Sequence, residues 1–287
     1  MRDGSPQESI SSQRDEGDKM KRKIIIALAP TGGWGKTENN PVDPQAIAED
    51  VIRCVRSGAS VVHLHARDEE GRLTTDLSAF NKTVQIIKES CDIILEASTG
   101  GLSSLTAAER VLPAGHAQAQ MGSLNIGSLN FGDEVYQNSL KDVRFWIKTM
   151  AERKVKPSLE IFDTGHMEAA LHLISEGLIA TPCYFSFIFD VKWGMPYHSS
   201  ILEYLKAQVP QDSRWGALMI GSTDFSKHID AAHSGANLLR VGFEDSYRYH
   251  GSIAKNNDEL VRSLRGELEA AGFAIATAPE ARALLLD

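Results

Sequence analysis

From about residue 22 onward, short apolar runs rich in β-branched residues alternate with longer amphipathic stretches. The runs are KIIIALA (23–29), SVVHLHA (60–66), DIILEAS (92–98), AQAQMGS (117–123), PSLEIFD (157–163), CYFSFIF (183–189), WGALMIG (215–221) and NLLRVGF (237–243). They predict eight strands, of which the fourth is short and poor in strand formers. The stretches between them read as helices. In the first, Asp43 is a good N-cap and Pro44 suits the first helical position. Ile47, Val51 and Val55 recur four apart beside Ala48 and Ile52, and Gly58 fits the left-handed residue that ends a helix. The last barrel helix repeats this grammar: Asn256 or Asn257 as cap, Leu260, Leu264 and Leu268 as stripe, Gly272 as stop.

Continuous apolar strands alternating with helices mean a parallel sheet covered by helices, and eight such units close into a barrel. The expected fold is α/β, a (β/α)8 TIM barrel over residues 22–287, preceded by a polar extension (1–21) read as disordered. A doubly wound open sheet is the rival, and it usually carries a glycine-rich phosphate turn after its first strand. The turn here is TGGWGKT (31–37), and Pro30 stands where a Walker loop needs glycine. It reads as a flexible or substrate-contacting loop.

Bulk properties narrow the function. The chain has 287 residues, 42% hydrophobic and 24% charged, as in an ordinary globular protein. A net charge of −8 disfavours nucleic acid and anionic membrane as partners but leaves room for an anionic small molecule at a locally positive site. No long apolar run or signal-peptide core is present, so cytoplasm is expected. Cys54, Cys91 and Cys183 form no CxxC pair and are expected to be core residues rather than a disulfide or thiolate metal site.

HLHAR (63–67) is the strongest chemical signal. Residues two apart in a strand face the same way, so His63, His65 and Arg67 share one face and Val62, Leu64 and Ala66 the other. The imidazoles then point inward near the carboxyl end of the strand, where the active sites of such barrels lie. If the eighth strand stays extended, Arg240 and Glu244 also point inward. Strands 8 and 2 both flank strand 1, so Glu244 can meet the histidines there. Two histidines and one carboxylate make a three-ligand metal set with open positions. Hydrogen-bonded core histidines and a metal-free Arg240–Glu244 ion pair are the bland alternatives. Polar residues also end other strands: STGG (98–101), whose glycines allow close backbone approach, SLN (123–125), and EIFDTGH (160–166), with Glu160 and His166 as alternative ligands.

These pieces, with SLNIGSLNFGD (123–133), LEIFDTGH (159–166), RVGFED (240–245) and SIAKNNDELV (252–261), resemble the β-keto acid cleavage enzymes in order and separation over nearly the whole chain. The resemblance implies a zinc-dependent barrel, usually a homotetramer. It implies reaction of a β-keto acid with acetyl-CoA to give acetoacetate and a new acyl-CoA. Carried over by motif, His63, His65 and Glu244 are the Zn2+ ligands and Asp245 is the general base. Arg240 and Ser98 orient or polarise the reacting groups, and Thr99, Gly100 and Ser123 line the substrate. Members acting on amino-keto acids carry a glutamate in the loop after strand 1 where this chain has Trp34. A substrate without an ammonium there is therefore expected. A zinc hydrolase of the amidohydrolase type is one rival, although its HxH follows the first strand. A barrel that only binds a metabolite is the other, and it has no need of a base beside a metal.

Overall fold

The structure is a computed structural model that describes residues 21–32, 39–101 and 104–287. Residues 1–20 of the expected extension, and Trp34 with most of the TGGWGKT turn, lie outside the described residues. The barrel strands are β1 (Lys23–Leu28), β2 (Ala59–Leu64), β3 (Ile94–Ala97), β4 (Met121–Asn125), β5 (Lys156–Ile161), β6 (Tyr184–Phe189), β7 (Arg214–Met219) and β8 (Leu238–Val241). All neighbours pair parallel, and β8 returns to β1 with Ala27 opposite Arg240, which closes the barrel. The helices are α1 (Pro44–Ser57), α2 (Ser78–Ser90), α3 (Ala107–Arg110), α4 (Leu140–Glu152), α5 (Thr164–Ser175), α6 (Ser199–Gln208), α7 (Ser226–Ser234), α8 (Asn257–Ala270) and α9 (Ala278–Leu285). None among the described residues is long and apolar enough to cross a membrane.

Local chemistry explains the boundaries. Asp43 caps α1 through the amides of Gln45 and Ala46, and Gly58 ends it at φ +119°. Asn256, not Asn257, caps α8 by accepting from the Glu259 amide. Asn257 is buried instead, where it donates to the Pro30 carbonyl and to Asp50 and accepts from the Phe243 amide. It thereby ties α8 to the ends of β1 and β8 and to α1.

Several strand ends depart from the sequence reading, and two of the departures have clear causes. β4 begins later than expected, because the alanines and glutamines of 117–120 have little strand preference and its ladder to β5 starts at Met121. Gly122 lets Met150 of α4 pack onto the strand, since a Cβ there would lie 2.9 Å from Met150 Cε. β8 stops at Val241, because Gly242 takes φ +144° and a Cβ there would lie 2.1 Å from the Ala29 carbonyl oxygen. The chain therefore turns at the top of β8 instead of running on.

The barrel interior is layered. Its amino-terminal half is apolar: Ile25, Ala27, Val61, Ile94, Met121 and Leu238 cluster there and are plugged from below by Ala281 and Leu285 of α9, a helix the sequence pattern did not predict. Its upper half is polar, with His63, Glu96, Ser123, Ser158, Glu160, Ser186 and Arg240 all buried. Of the three free cysteines, Cys54 and Cys183 are core residues, while Cys91 at the end of α2 is only half-buried.

Candidate active site

The polar half gathers the chemistry at the carboxyl ends of the strands. His63 on β2 is opposite Glu96 on β3, and its Nδ1 lies 2.6 Å from Glu96 Oε1. A carboxylate only accepts, so the His63 proton sits on Nδ1 and the Nε2 lone pair faces the barrel mouth. There it meets His65 Nε2 at 3.3 Å and Glu244 Oε1 at 3.5 Å, with His65 Nε2 and Glu244 Oε1 3.2 Å apart. Donors bound tetrahedrally at about 2.0–2.1 Å from one ion stand about 3.3 Å from each other. The three atoms fit a zinc-sized cation.

Glu244 reaches this point through the turn that Gly242 opens, not by strand alternation as expected. The Asp245 and Ser246 amides donate to the Gly242 carbonyl, which curls the chain over β8. The same turn points Asp245 back at Arg240. That guanidinium donates through Nε (3.0 Å) and Nη2 (2.5 Å) to the two Asp245 oxygens, and reaches Glu244 at 3.4 Å and Glu160 at 3.9 Å. Arg240 thus pairs chiefly with Asp245, not with Glu244. Both partners are buried, at 7% and 3% exposure, so the pair works in a poorly solvated medium.

Ionisation follows from these contacts. Burial pushes the Glu244 carboxyl up, but His65, His63 and Arg240 together hold it well below the usual range. Burial raises Asp245 above its ordinary value against the pull of Arg240, which makes it a better proton acceptor once ionised. Glu160 is pushed up to about 7 by burial, only partly opposed by His63 and Arg240. Burial lowers His65 to about 4, keeping its imidazole neutral and able to ligate.

The remaining predicted residues form the wall between β3 and β4. Ser98 Oγ accepts from the Gly100 amide. Thr99 is sealed onto β4, its hydroxyl donating to the Ser123 carbonyl (2.6 Å) and its amide to Ser123 Oγ (3.0 Å). Tyr136, from a hairpin (Leu129–Phe131 with Glu134–Tyr136) inserted between β4 and α4, accepts from the Gly101 amide. Arg110 clamps this loop from outside, donating to Thr99 O, Gln137 O and Asn138 Oδ1. Opposite the wall, a cleft beside the histidines is lined by Pro30, Thr31, Arg67 and Glu244.

The structure therefore brings His63, His65, Glu244, Arg240 and Asp245 together, with Glu160 behind Arg240. Glu160 also falls within metal-ligating reach of His63 and Glu96, a second three-residue grouping. His166 joins no such set among the described residues: it sits on α5 against Gly127, its Nδ1 accepting from the Phe162 amide. Asp163 is the N-cap of α5. Sequence reasoning missed Glu96, although a glutamate in the apolar run ILEA, two residues before Ser98, was an available signal. It also missed Tyr136 and Arg110, for which no periodic pattern gave a cue.

Known proteins resemble this chain over most of its length. The chain is 35% identical to a 3-keto-5-aminohexanoate cleavage enzyme of Fusobacterium nucleatum, over 93% of this chain and 98% of that one. It is 30% identical to a 3,5-dioxohexanoate:acetyl-CoA acetone transferase of Paraburkholderia graminis, over 92% and 96% of the two chains. In fold it matches a ternary complex of ObcA with a C4-CoA adduct and oxalate at a TM-score of 0.73 and 21% identity, over 86% of this chain and 67% of that one. The beta-keto acid cleavage enzyme profile matches residues 23–286, and the chain belongs to that family.

Proposed function

We propose that this protein condenses a β-keto acid with acetyl-CoA, giving acetoacetate and the coenzyme A thioester of the remaining acyl group. The observation that carries this reading is the spacing of His63 Nε2, His65 Nε2 and Glu244 Oε1, with the Asp245–Arg240 pair beside them. His63, His65 and Glu244 would hold Zn2+, whose part when bound is Lewis-acid polarisation of the keto acid's oxygens. Asp245 takes the α-proton of the acid and holds it while the carbanion attacks the thioester carbonyl. The acetyl thioester bond breaks as coenzyme A leaves as the thiolate, the thiolate attacks the former keto carbon, the bond from that carbon to the α-carbon breaks, and the proton returns to the α-carbon of the departing acetoacetate. Arg240, fixed by Asp245, offers positive charge to the oxyanions that develop. Ser98, Gly100 and Ser123 form the wall that orients the acid, and Thr99 holds that wall to β4.

Trp34 points to the substrate class. An indole gives no carboxylate to an ammonium, although its face attracts cations weakly. The acid is therefore one without an amino group near that loop, unlike the amino-keto acid named for the Fusobacterium relative. A homotetramer is carried forward from the resemblance, and a cytoplasmic location from the sequence. The test is to incubate metal-assayed protein with acetyl-CoA and a panel of β-keto acids, following acetoacetate and new thioesters by mass spectrometry. Matched formation of both, lost in His63→Ala, is expected. Metal at one per chain with no thioester from any acid would overturn the reaction and favour a hydrolase. Equal or better turnover of 3-keto-5-aminohexanoate than of 3-ketohexanoate would refute the Trp34 argument.

A further inference from the structure

β8 is held unequally on its two sides. Its ladder to β1 runs to the top of the strand, where Leu28 stands opposite Val241 and the Ala29 amide donates to the Val241 carbonyl at 2.9 Å. Its ladder to β7 ends earlier, with Leu239 opposite Ala217. Successive carbonyls along a strand point to opposite neighbours, so the Arg240 carbonyl faces β7 just where that ladder has stopped. A buried carbonyl needs a donor. This one finds it outside the sheet: His228 of α7 places its ring Nε2 3.3 Å from that oxygen. A carbonyl only accepts, so Nε2 carries the proton.

Burial lowers His228 to about 4, which keeps the ring neutral. Phe225 packs edge-to-face against it, with ring centres 5.2 Å apart. At 3% exposure its Nδ1 has no hydrogen-bond partner among the described residues. A half-satisfied buried imidazole is a costly way to fill a core, so it calls for an explanation. Its one hydrogen bond ends on the residue that carries the guanidinium of the site. His228, Arg240, Gly242 and Asp245 line one gap between the tops of β7 and β8. Movement of the Arg240 peptide into that gap would carry the guanidinium out of register with Asp245. The turn beyond is anchored separately, because Asn257 accepts from the Phe243 amide and the Gly221 amide donates to the Asp245 carbonyl. We propose that His228 is a positioning residue, whose Nε2 proton pins the Arg240 carbonyl and so holds the guanidinium where it meets Asp245 and the bound acid. This rests on the reaction proposed above. It adds a residue outside every motif that suggested that reaction.

Two variants separate positioning from packing. His228→Leu removes the donor, whereas His228→Gln keeps one, since its amide nitrogen can stand where Nε2 does. His228→Asn, whose amide stops short of the carbonyl, takes the place of His228→Leu should that variant fail to fold. Rates are measured with acetyl-CoA and 3-ketohexanoate and normalised to bound metal. His228→Leu should lower kcat about tenfold to a hundredfold with both KM values within about threefold, because a displaced charge costs most in the transition state. His228→Gln should recover most of that loss, and both variants should retain wild-type metal content. In urea unfolding of metal-free protein, the fall in midpoint caused by His228→Leu should shrink in an Arg240→Met background, where no guanidinium remains to be misplaced. A purely structural histidine would lower the midpoint equally in both backgrounds and leave kcat per bound metal unchanged, and either result would overturn the proposal. So would a His228→Gln enzyme as slow as His228→Leu. A wild type that forms no thioester would instead overturn the reaction, while the urea cycle still reads His228.

Discussion

Arg240→Met tests the electrostatics of the site most directly. Methionine keeps the aliphatic stem, so little packing is lost, but the guanidinium that answers Asp245, Glu244 and Glu160 is gone. Asp245 loses two charge-assisted hydrogen bonds at 2.5 and 3.0 Å and is left at 3% exposure with no opposite charge in contact among the described residues. Breaking a buried pair in this way costs about 3–5 kcal/mol, most of it the penalty for the stranded partner. At about 2–4 °C per kcal/mol for a chain of this size, the midpoint should fall by about 10 °C. The penalty should depend on pH. Burial already raises Asp245 above its ordinary value, and without Arg240 its folded-state value rises further. A carboxyl raised in the folded state favours folding most below its unfolded value of about 3.9, and that advantage is lost as pH climbs through the folded value. The variant should therefore lose more stability at pH 8 than at pH 5.5. Urea unfolding of metal-free protein, followed by circular dichroism at both pH values, measures this. Asp245→Asn alone should cost less, and the double variant less than the sum, because each change removes the other's unpaired partner. A loss below about 1 kcal/mol, or one equal at both pH values, would refute the reasoning.

Three further outcomes are expected. Glu96→Ala should weaken metal retention about tenfold to a hundredfold in chelator competition, with Glu96→Gln in between, because Glu96 fixes the ring and tautomer of His63; equal retention in all three would deny Glu96 that role. Gly242→Ala should abolish soluble, metal-binding protein, since its Cβ would meet the Ala29 carbonyl oxygen at a backbone angle that side chains avoid, and a folded, fully loaded variant would contradict the turn. Glu160 is raised to about 7, so its contribution to stability is present below about pH 4.3 and is lost as pH rises towards 7. Glu160→Gln should flatten the stability profile of metal-free protein across that window, and an unaltered slope would count against the burial argument.

Much of the fold is legible in the sequence because barrel strands and helices write two different periods. The α1 signals, Asp43, Pro44 and Gly58, act within a few residues and hold as read. His63 and His65 could be placed inward from alternation alone, because Val61–Leu64 pair in unbroken register with Ile94–Ala97 up to the residue before His65. Alternation could not be carried past the end of a strand. Glu244 does stand beside the histidines, but Gly242 breaks β8 and a turn, not an extended strand, delivers the carboxylate.

What the sequence determined by itself was therefore local: eight apolar runs, their capped helices, and a pair of histidines on one strand face. What the tertiary structure alone decided was partnership. Glu96 and His63 are 33 residues apart and meet because β2 and β3 pair in one register. Arg240 selects Asp245 over Glu244 through a turn whose shape depends on the Ala29 carbonyl of another strand. Asn125 has no hydrogen-bond partner among the described residues, because barrel closure brings Gly100, Tyr136 and Glu160 around it without satisfying it. Periodicity reports which face a residue takes, whereas hydrogen bonds and ion pairs depend on distances between strands, and those are set only when the barrel closes.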